Sequence, residues 1–179
     1  SLQIPPHKEV FIYAGPLVSR KQPDLLVRTF LSPTAKEKIL IILGDGPLID
    51  LCQQLAGTSP NIFIPGHVEN VREYFLAANC FVSASVSEGL PNAVLESLAD
   101  GIPAILSDIP AHRELQQLAP KAITLFSPVT QSILLEKIIT FSQSHDVRKR
   151  SDRAIEQLLS AKRMSNEYQL VYKQLRSCL

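Results

Sequence analysis

Cysteine is scarce in this chain and badly placed for pairing. Cys52, Cys80 and Cys178 are the only three among 179 residues. They lie far apart, odd in number and without CxxC spacing, which argues against a disulfide framework and a zinc site. They read as reduced thiols of a cytoplasmic protein. Net charge is nearly absent too. Eighteen Lys and Arg against seventeen Asp and Glu leave +1, so no long-range field draws the chain to nucleic acid or membrane, and an anion site has to be local. No apolar run approaches the ~20 residues of a membrane helix, and no charged-then-apolar leader opens the chain. Internal repeats, low-complexity stretches and long linkers are missing as well. With 45% hydrophobic and 20% charged residues, the chain reads as one soluble globular domain with a single sizeable core.

What is present is alternation. Short β-rich apolar runs at 10–15, 38–44, 61–66, 80–85, 103–108 and 122–127 are six strand candidates, each closed by turn residues. Between them, segments 23–31, 47–56, 71–79, 92–100 and 110–118 carry apolar residues at spacings of three and four, the period of a helix. Runs such as IILG and FVSAS are apolar nearly throughout, as strands buried on both faces of a parallel sheet are, and parallel pairs require helical crossovers. The expected fold class is therefore α/β: a Rossmann-like, doubly wound parallel sheet with helices on both faces. After the sixth strand the helical period continues alone through 131–142, 146–160 and 164–175. The basic cluster Arg148, Lys149, Arg150 and Arg153 there reads as a solvated helix face.

In an open parallel sheet, ligands bind beyond the carboxyl ends of the strands. The loops expected there hold the unusual residues: GPLVSRK from Gly15, GDGP from Gly44, PGHV from Pro65 and SVSEGLPN from Ser85. Taken singly, each glycine is explained by a turn. In the fourth loop Pro91 and Asn92 suit the first turn of a helix, and Gly101 suits the end of one. Such a helix would aim the free N–H groups of Asn92, Ala93 and Val94 at the cleft, a ready site for a diphosphate. Glu88 and Glu96 would flank it. Carboxylates only accept hydrogen bonds, and sugar hydroxyls are natural donors to them; a glutamate responding to the helix dipole and a solvated one are the plainer account. Arg20 and Lys21 follow the first strand on the same sheet edge and would balance the phosphate charge.

At this point the residues resemble a family. The run SEGLPNAVLESLADGIPAILSD, in which Glu88 and Glu96 bracket seven residues, is similar to the E-x7-E signature of the family-4 retaining glycosyltransferases with the GT-B fold. Upstream, YAGPLVSRKQPDLL, ILGDGPL and NIFIPGHVENVREYFLAANCFVSAS follow the family's segments in order and spacing. The resemblance spans essentially the whole chain. It implies that residues 1–179 are the C-terminal, nucleotide-sugar-binding domain of a two-domain enzyme, with the acceptor domain outside this chain. The start a few residues before the first strand then reads as the cut edge of a longer protein, with a naturally split enzyme as the alternative.

Carried over by position, the resemblance assigns catalytic roles to Glu88, on the transferred sugar, and Lys21, on the diphosphate. Glu96 would hold the ribose hydroxyls. Gly15, Arg20 and Gly44 would belong to the donor site, as would Gly89, Leu90, Pro91, Asn92 and Ala93 around the phosphates and sugar. Ile64 and Pro65 would line the base pocket. The donor is expected to be a UDP-sugar in preference to a GDP-sugar. The acceptor would be a glycan or lipid-linked molecule reached through the other domain, with peripheral contact at the inner membrane face as an option and no nucleic-acid partner. No DxD motif appears, so no metal or other cofactor is expected.

Two positions depart from the family pattern. Pro16 stands where an arginine is usual, so either Arg20 substitutes or the donor is held less tightly, and Gln22 replaces a usual glycine. Pro16 motivates an alternative, a donor-binding-like module without catalysis and with a regulatory or assembly role. A nicotinamide-binding domain would need GxGxxG after the first strand, where the chain has GPLVSRK. His67 and His112 read as structural or surface residues and not as general bases.

Overall fold

The computed structural model describes residues 4–5, 7–127 and 129–141. Six strands, β1 (Glu9–Ala14), β2 (Lys38–Leu43), β3 (Ile62–Gly66), β4 (Cys80–Ser83), β5 (Ala104–Ser107) and β6 (Ile123–Phe126), form one sheet in the order β3-β2-β1-β4-β5-β6. All neighbouring pairs are parallel. Helices α1 (Pro23–Phe30), α2 (Ile49–Ala56), α3 (Val71–Ala77), α4 (Asn92–Ala99), α5 (Pro110–Leu118) and α6 (Gln131–Thr140) follow the strands in turn. The α/β, Rossmann-like, doubly wound expectation is met. The expected helices 146–160 and 164–175 and the basic cluster lie outside the described residues.

The strands are apolar on both sides because both sides are covered. Along β1 and β2, Ile12, Ala14, Ile39, Ile41 and Leu43 join one buried cluster with Leu98 of α4 and Leu115 of α5. Their neighbours Phe11, Tyr13, Leu40 and Ile42 join the opposite cluster with Leu26 and Phe30 of α1 and Leu134 of α6. Each Ile, Leu or Phe side chain among them contributes roughly 1.5–3 kcal/mol when fully buried. Cys52 and Cys80 are buried, free thiols within the second cluster. No helix among the described residues is long and apolar enough to cross a membrane.

The chain builds outward from β1 through β2 to β3, then returns to place β4 on the other side of β1. Connections therefore leave β1 and β4 in opposite directions, and the loops beyond their carboxyl ends separate to leave a crevice. Strand β4 ends at Ser83, two residues before the sequence signal; Ala84 and Ser85 stay buried but leave the ladder and begin the turn toward Glu88.

Gln22, between a short 3-10 turn at Ser19–Lys21 and α1, is left-handed at φ 49 and ψ 50. It is the one described non-glycine with positive φ, at the position where glycine is usual. Its side-chain Oε1 is buried with no hydrogen-bond partner among the described residues. A left-handed residue with a Cβ costs about 1–2 kcal/mol, of which glycine's greater chain entropy returns part. Gln22→Gly is therefore expected to raise the thermal midpoint by roughly 2–4 °C. A lower midpoint in calorimetry would mean that packing of the glutamine stem outweighs the strain.

Candidate functional site

The crevice at the β1/β4 switch holds a cleft of about 360 Å³. One wall comes from β1 and the loop after it, Tyr13 to Pro16 with Lys21; the other comes from Glu88 and the start of α4, Leu90 to Val94, with Glu96 one turn on. A second cleft of about 380 Å³ adjoins it beyond Gly15 and Pro16, between Gly44, Asp45, His67 and Val68. Together they form a trough along the carboxyl edge of β4, β1, β2 and β3.

Backbone contact fixes the loops between the two clefts. Gly15 N–H donates to Leu43 O at 2.9 Å, Leu17 N–H to Asp45 O at 2.8 Å and Gly44 N–H to Gly66 O at 2.9 Å. Two glycines permit this approach: a Cβ on Gly44 would overlap the Gly15 carbonyl oxygen, and one on Gly46 would stand 2.7 Å from the Leu17 carbonyl oxygen. Under the first loop, the Tyr13 hydroxyl donates to Pro16 O at 2.9 Å. Burial, with the charge of Glu88 behind it, pushes the Tyr13 phenol up, so it stays a donor.

Glu88 is the charged centre of the first cleft. Its side chain is only 6% exposed, and Lys21, itself 13% exposed, forms an ion pair with it. Arg20 Nη1 lies 3.5 Å from the other carboxylate oxygen and donates to Ser87 O at 3.2 Å, while Val86 N–H donates to Arg20 O at 2.8 Å. The turns after β1 and β4 are thus tied together around this acid. Burial alone would raise the Glu88 pKa. Hydrogen bonds from Lys21 and Ser85 and the nearby positive charge outweigh it and hold the carboxyl below its usual range. A buried anion and cation therefore face one cleft at neutral pH, able to meet both hydroxyl donors and a phosphate.

The residues singled out in sequence separate into two groups. Gly15, Lys21, Glu88, Leu90, Pro91, Asn92, Ala93 and Glu96 line the first cleft, and Gly44 the second. Gly89 sits between two of the wall residues, with nothing within 4 Å of where a Cβ would stand. Ile64 and Pro65 line neither cleft: Ile64 packs against the buried cluster under β3 and Pro65 is exposed. Both belong to β3 itself, so the wall passes to His67 and Val68, beyond its end. Arg20 is half exposed and engaged on Ser87 and Glu88, not on the cleft wall.

The α4 terminus corrects another expectation. The Asn92 and Val94 N–H groups are not free; they donate to Leu90 O and Pro91 O, each at 3.0 Å, because the Pro-containing turn folds its carbonyls back under the helix. Among the described residues the Ala93 N–H is left without such a partner. Sequence reasoning passed over Tyr13, Phe81 and Val71, which line the cleft as side chains of ordinary strands and a helix start. Only strand register, which places a side chain on one face or the other, marks them.

Comparison with known proteins adds the following. The sequence model of the family described as Glycosyl transferases group 1 matches residues 8–143. An uncharacterized glycosyltransferase of Methanocaldococcus jannaschii is 38% identical over 104 residues, which cover 55% of this chain and 26% of that protein. The chain therefore aligns with about a quarter of the length of that relative. Among solved structures, sucrose-phosphate synthase from Thermosynechococcus elongatus superposes with a TM-score of 0.80 at 18% identity, over 99% of this chain and 48% of that one. The pneumococcal O-GlcNAc transferase GtfA, solved with UDP and GlcNAc, gives 0.73 at 20% identity, over 93% of this chain and 36% of that one. At these identities the structural likeness is one of fold.

Proposed function

The chain belongs to the glycosyl transferases group 1 family, and from that premise we propose that it is the donor-binding domain of a family-4, retaining glycosyltransferase of the GT-B type. The observation that carries this is the buried Glu88 paired with Lys21 on the wall of the switch-point cleft. On this reading a nucleoside-diphosphate sugar lies along the trough, its base toward Gly44, His67 and Val68. Its diphosphate lies between Lys21 and the Ala93 N–H, and its hexose or N-acetylhexosamine against Glu88. Glu96 takes the ribose hydroxyls. Gly89 supports the placement: it has no positive φ and no neighbour that a Cβ would meet, so nothing inside the fold asks for a glycine. A ligand passing close to the backbone there would.

Chemically, Lys21 offsets the negative charge that grows on the diphosphate as the bond to the anomeric carbon breaks. Retention would follow from attack by the acceptor on the face the diphosphate leaves, without a protein nucleophile. The charge is met by a side chain and a backbone N–H, so no metal enters the proposal. A second domain, binding a glycan or lipid-linked acceptor, would complete the cleft.

Titration calorimetry with UDP-glucose, UDP-N-acetylglucosamine, GDP-mannose and ADP-glucose tests the donor reading. Binding of one of the UDP-sugars ahead of the other two is the expected result. Absence of heat from all four at millimolar concentration would sink the proposal.

A further inference from the structure

Beneath the turn that carries Glu88 runs a buried line of polar groups that donor contacts alone do not explain. His112, in the first turn of α5, is fully buried. Its Nδ1 lies 2.8 Å from the Ser107 carbonyl oxygen and 3.3 Å from the Ser107 hydroxyl. A carbonyl only accepts, so Nδ1 carries the proton and donates to both. The Ser107 hydroxyl passes its own hydrogen to the Ser85 carbonyl at 2.5 Å. The Ser85 hydroxyl lies 3.0 Å from that of Ser83, and Ser85 also helps to hold the Glu88 carboxyl below its usual range. From His112 through Ser107 each hydrogen has one direction, and the line ends on the Ser85 carbonyl, in the turn that carries Glu88.

His112 Nε2 is buried with no partner among the described residues. A leucine there would avoid that unsatisfied acceptor and would continue the buried stripe of Leu115 and Ala119 on the same helix face. Packing therefore does not account for an imidazole; the Nδ1–H does. Burial holds the His112 pKa below its ordinary value against the raising effects of the Ser107 bond and the Glu88 charge, which keeps the ring neutral near pH 7.

We propose that His112 is a positioning residue: through Ser107 and Ser85 its Nδ1–H fixes the turn after β4 and with it the orientation of Glu88. The inference rests on the donor reading above, in which Glu88 meets the transferred sugar. It has a selective signature. The line ends on the turn that carries the sugar-facing acid and not on the nucleotide trough, so its loss weakens recognition of the sugar and leaves that of the bare nucleoside diphosphate.

The test compares, in the full chain, calorimetric affinities for the nucleotide sugar that binds among the four named above and for its nucleoside diphosphate. Wild type is set beside His112→Phe, His112→Asn, Ser107→Ala and Glu88→Gln. Loss of about one hydrogen bond's worth of orientation corresponds to roughly a five- to tenfold change. His112→Phe and Ser107→Ala are expected to lower the sugar-to-diphosphate affinity ratio by that factor, toward the ratio of Glu88→Gln. His112→Asn, whose amide N–H reaches about where Nδ1–H stands, is expected to restore it. Should His112→Phe fail to fold, Ser107→Ala carries the comparison. An unchanged ratio in Ser107→Ala, or equal loss for both ligands, overturns the relay. An unchanged ratio in Glu88→Gln overturns the assignment of Glu88 to the sugar, and the relay's purpose with it. Independently of ligand, a long-range 15N–1H spectrum is expected to show the His112 proton on Nδ1; a proton on Nε2 overturns the relay whatever the donor does.

Discussion

Lys21→Ala is expected to lower kcat/KM for sugar transfer by roughly 10²–10³-fold, the range seen when one preorganised donor to a developing negative charge is removed. Lys21 is held for that task before any ligand arrives. It ends the short turn after β1, its side chain is only 13% exposed, and its ammonium rests on Glu88. Little rotamer freedom remains to be lost when a diphosphate enters. The same substitution also strips a buried carboxylate of its main partner, which costs free energy because an unpaired buried charge is poorly solvated. Arg20, 3.5 Å from the other oxygen and half exposed, offsets part of that. The kinetic effect is therefore expected to exceed the effect on stability. Steady-state kinetics of the intact protein beside a thermal melt separates the two. Transfer at the wild-type rate by a folded Lys21→Ala protein would remove Lys21 from the mechanism.

Much of this was legible in the sequence, for physical reasons that differ by element. Strands such as β2 are buried on both faces, so their apolar runs are unbroken and turn residues mark both ends. The first and fourth loops were legible because Lys21 and Glu88 are charged residues in the loops that follow apolar strands. The order β3-β2-β1-β4-β5-β6 places those two loops side by side, 67 positions apart in the chain. What sequence leaves unread is whatever depends on register or local hydrogen bonding. Ile64 and Pro65 lie inside β3, where alternation packs a half-buried Ile64 against the core. The N–H groups of Asn92 and Val94 are taken by the turn that starts the helix. Arg20, read as balancing phosphate charge, donates to Ser87 O and lies 3.5 Å from Glu88, contacts that its sequence position does not announce. His112 carried a signal that was available: it stands three and seven residues before Leu115 and Ala119, on the buried stripe of α5. A histidine on an apolar stripe asks for a partner.

Gly44→Ala is expected to be the most damaging single-methyl change in the described residues to stability. Gly44 has φ 129, a conformation that strains any residue with a Cβ by about 1–3 kcal/mol. Its hydrogen also points at the carbonyl of Gly15, where a methyl would overlap the oxygen. A flexible side chain could swing away, but this neighbour is backbone. It is fixed on one side by the Gly15 N–H to Leu43 O bond and on the other by Leu17 N–H to Asp45 O. Relieving the overlap means parting the loops after β1 and β2 and weakening bonds worth about 1 kcal/mol each. The total, roughly 3–5 kcal/mol, is a large share of the ~5–15 kcal/mol that holds a domain together. At roughly 2–4 °C per kcal/mol for a chain of this size, the midpoint should fall by about 6–20 °C. Gly89→Ala is the matched control. With no positive φ and nothing within 4 Å of the added Cβ, it should stay within about 0.5 kcal/mol of wild type, while donor affinity falls because the methyl stands where the ligand passes. Differential scanning calorimetry with and without nucleotide sugar reads both. A Gly44→Ala midpoint close to wild type would mean that the two loops can part cheaply, and that the wall between the clefts is not rigid.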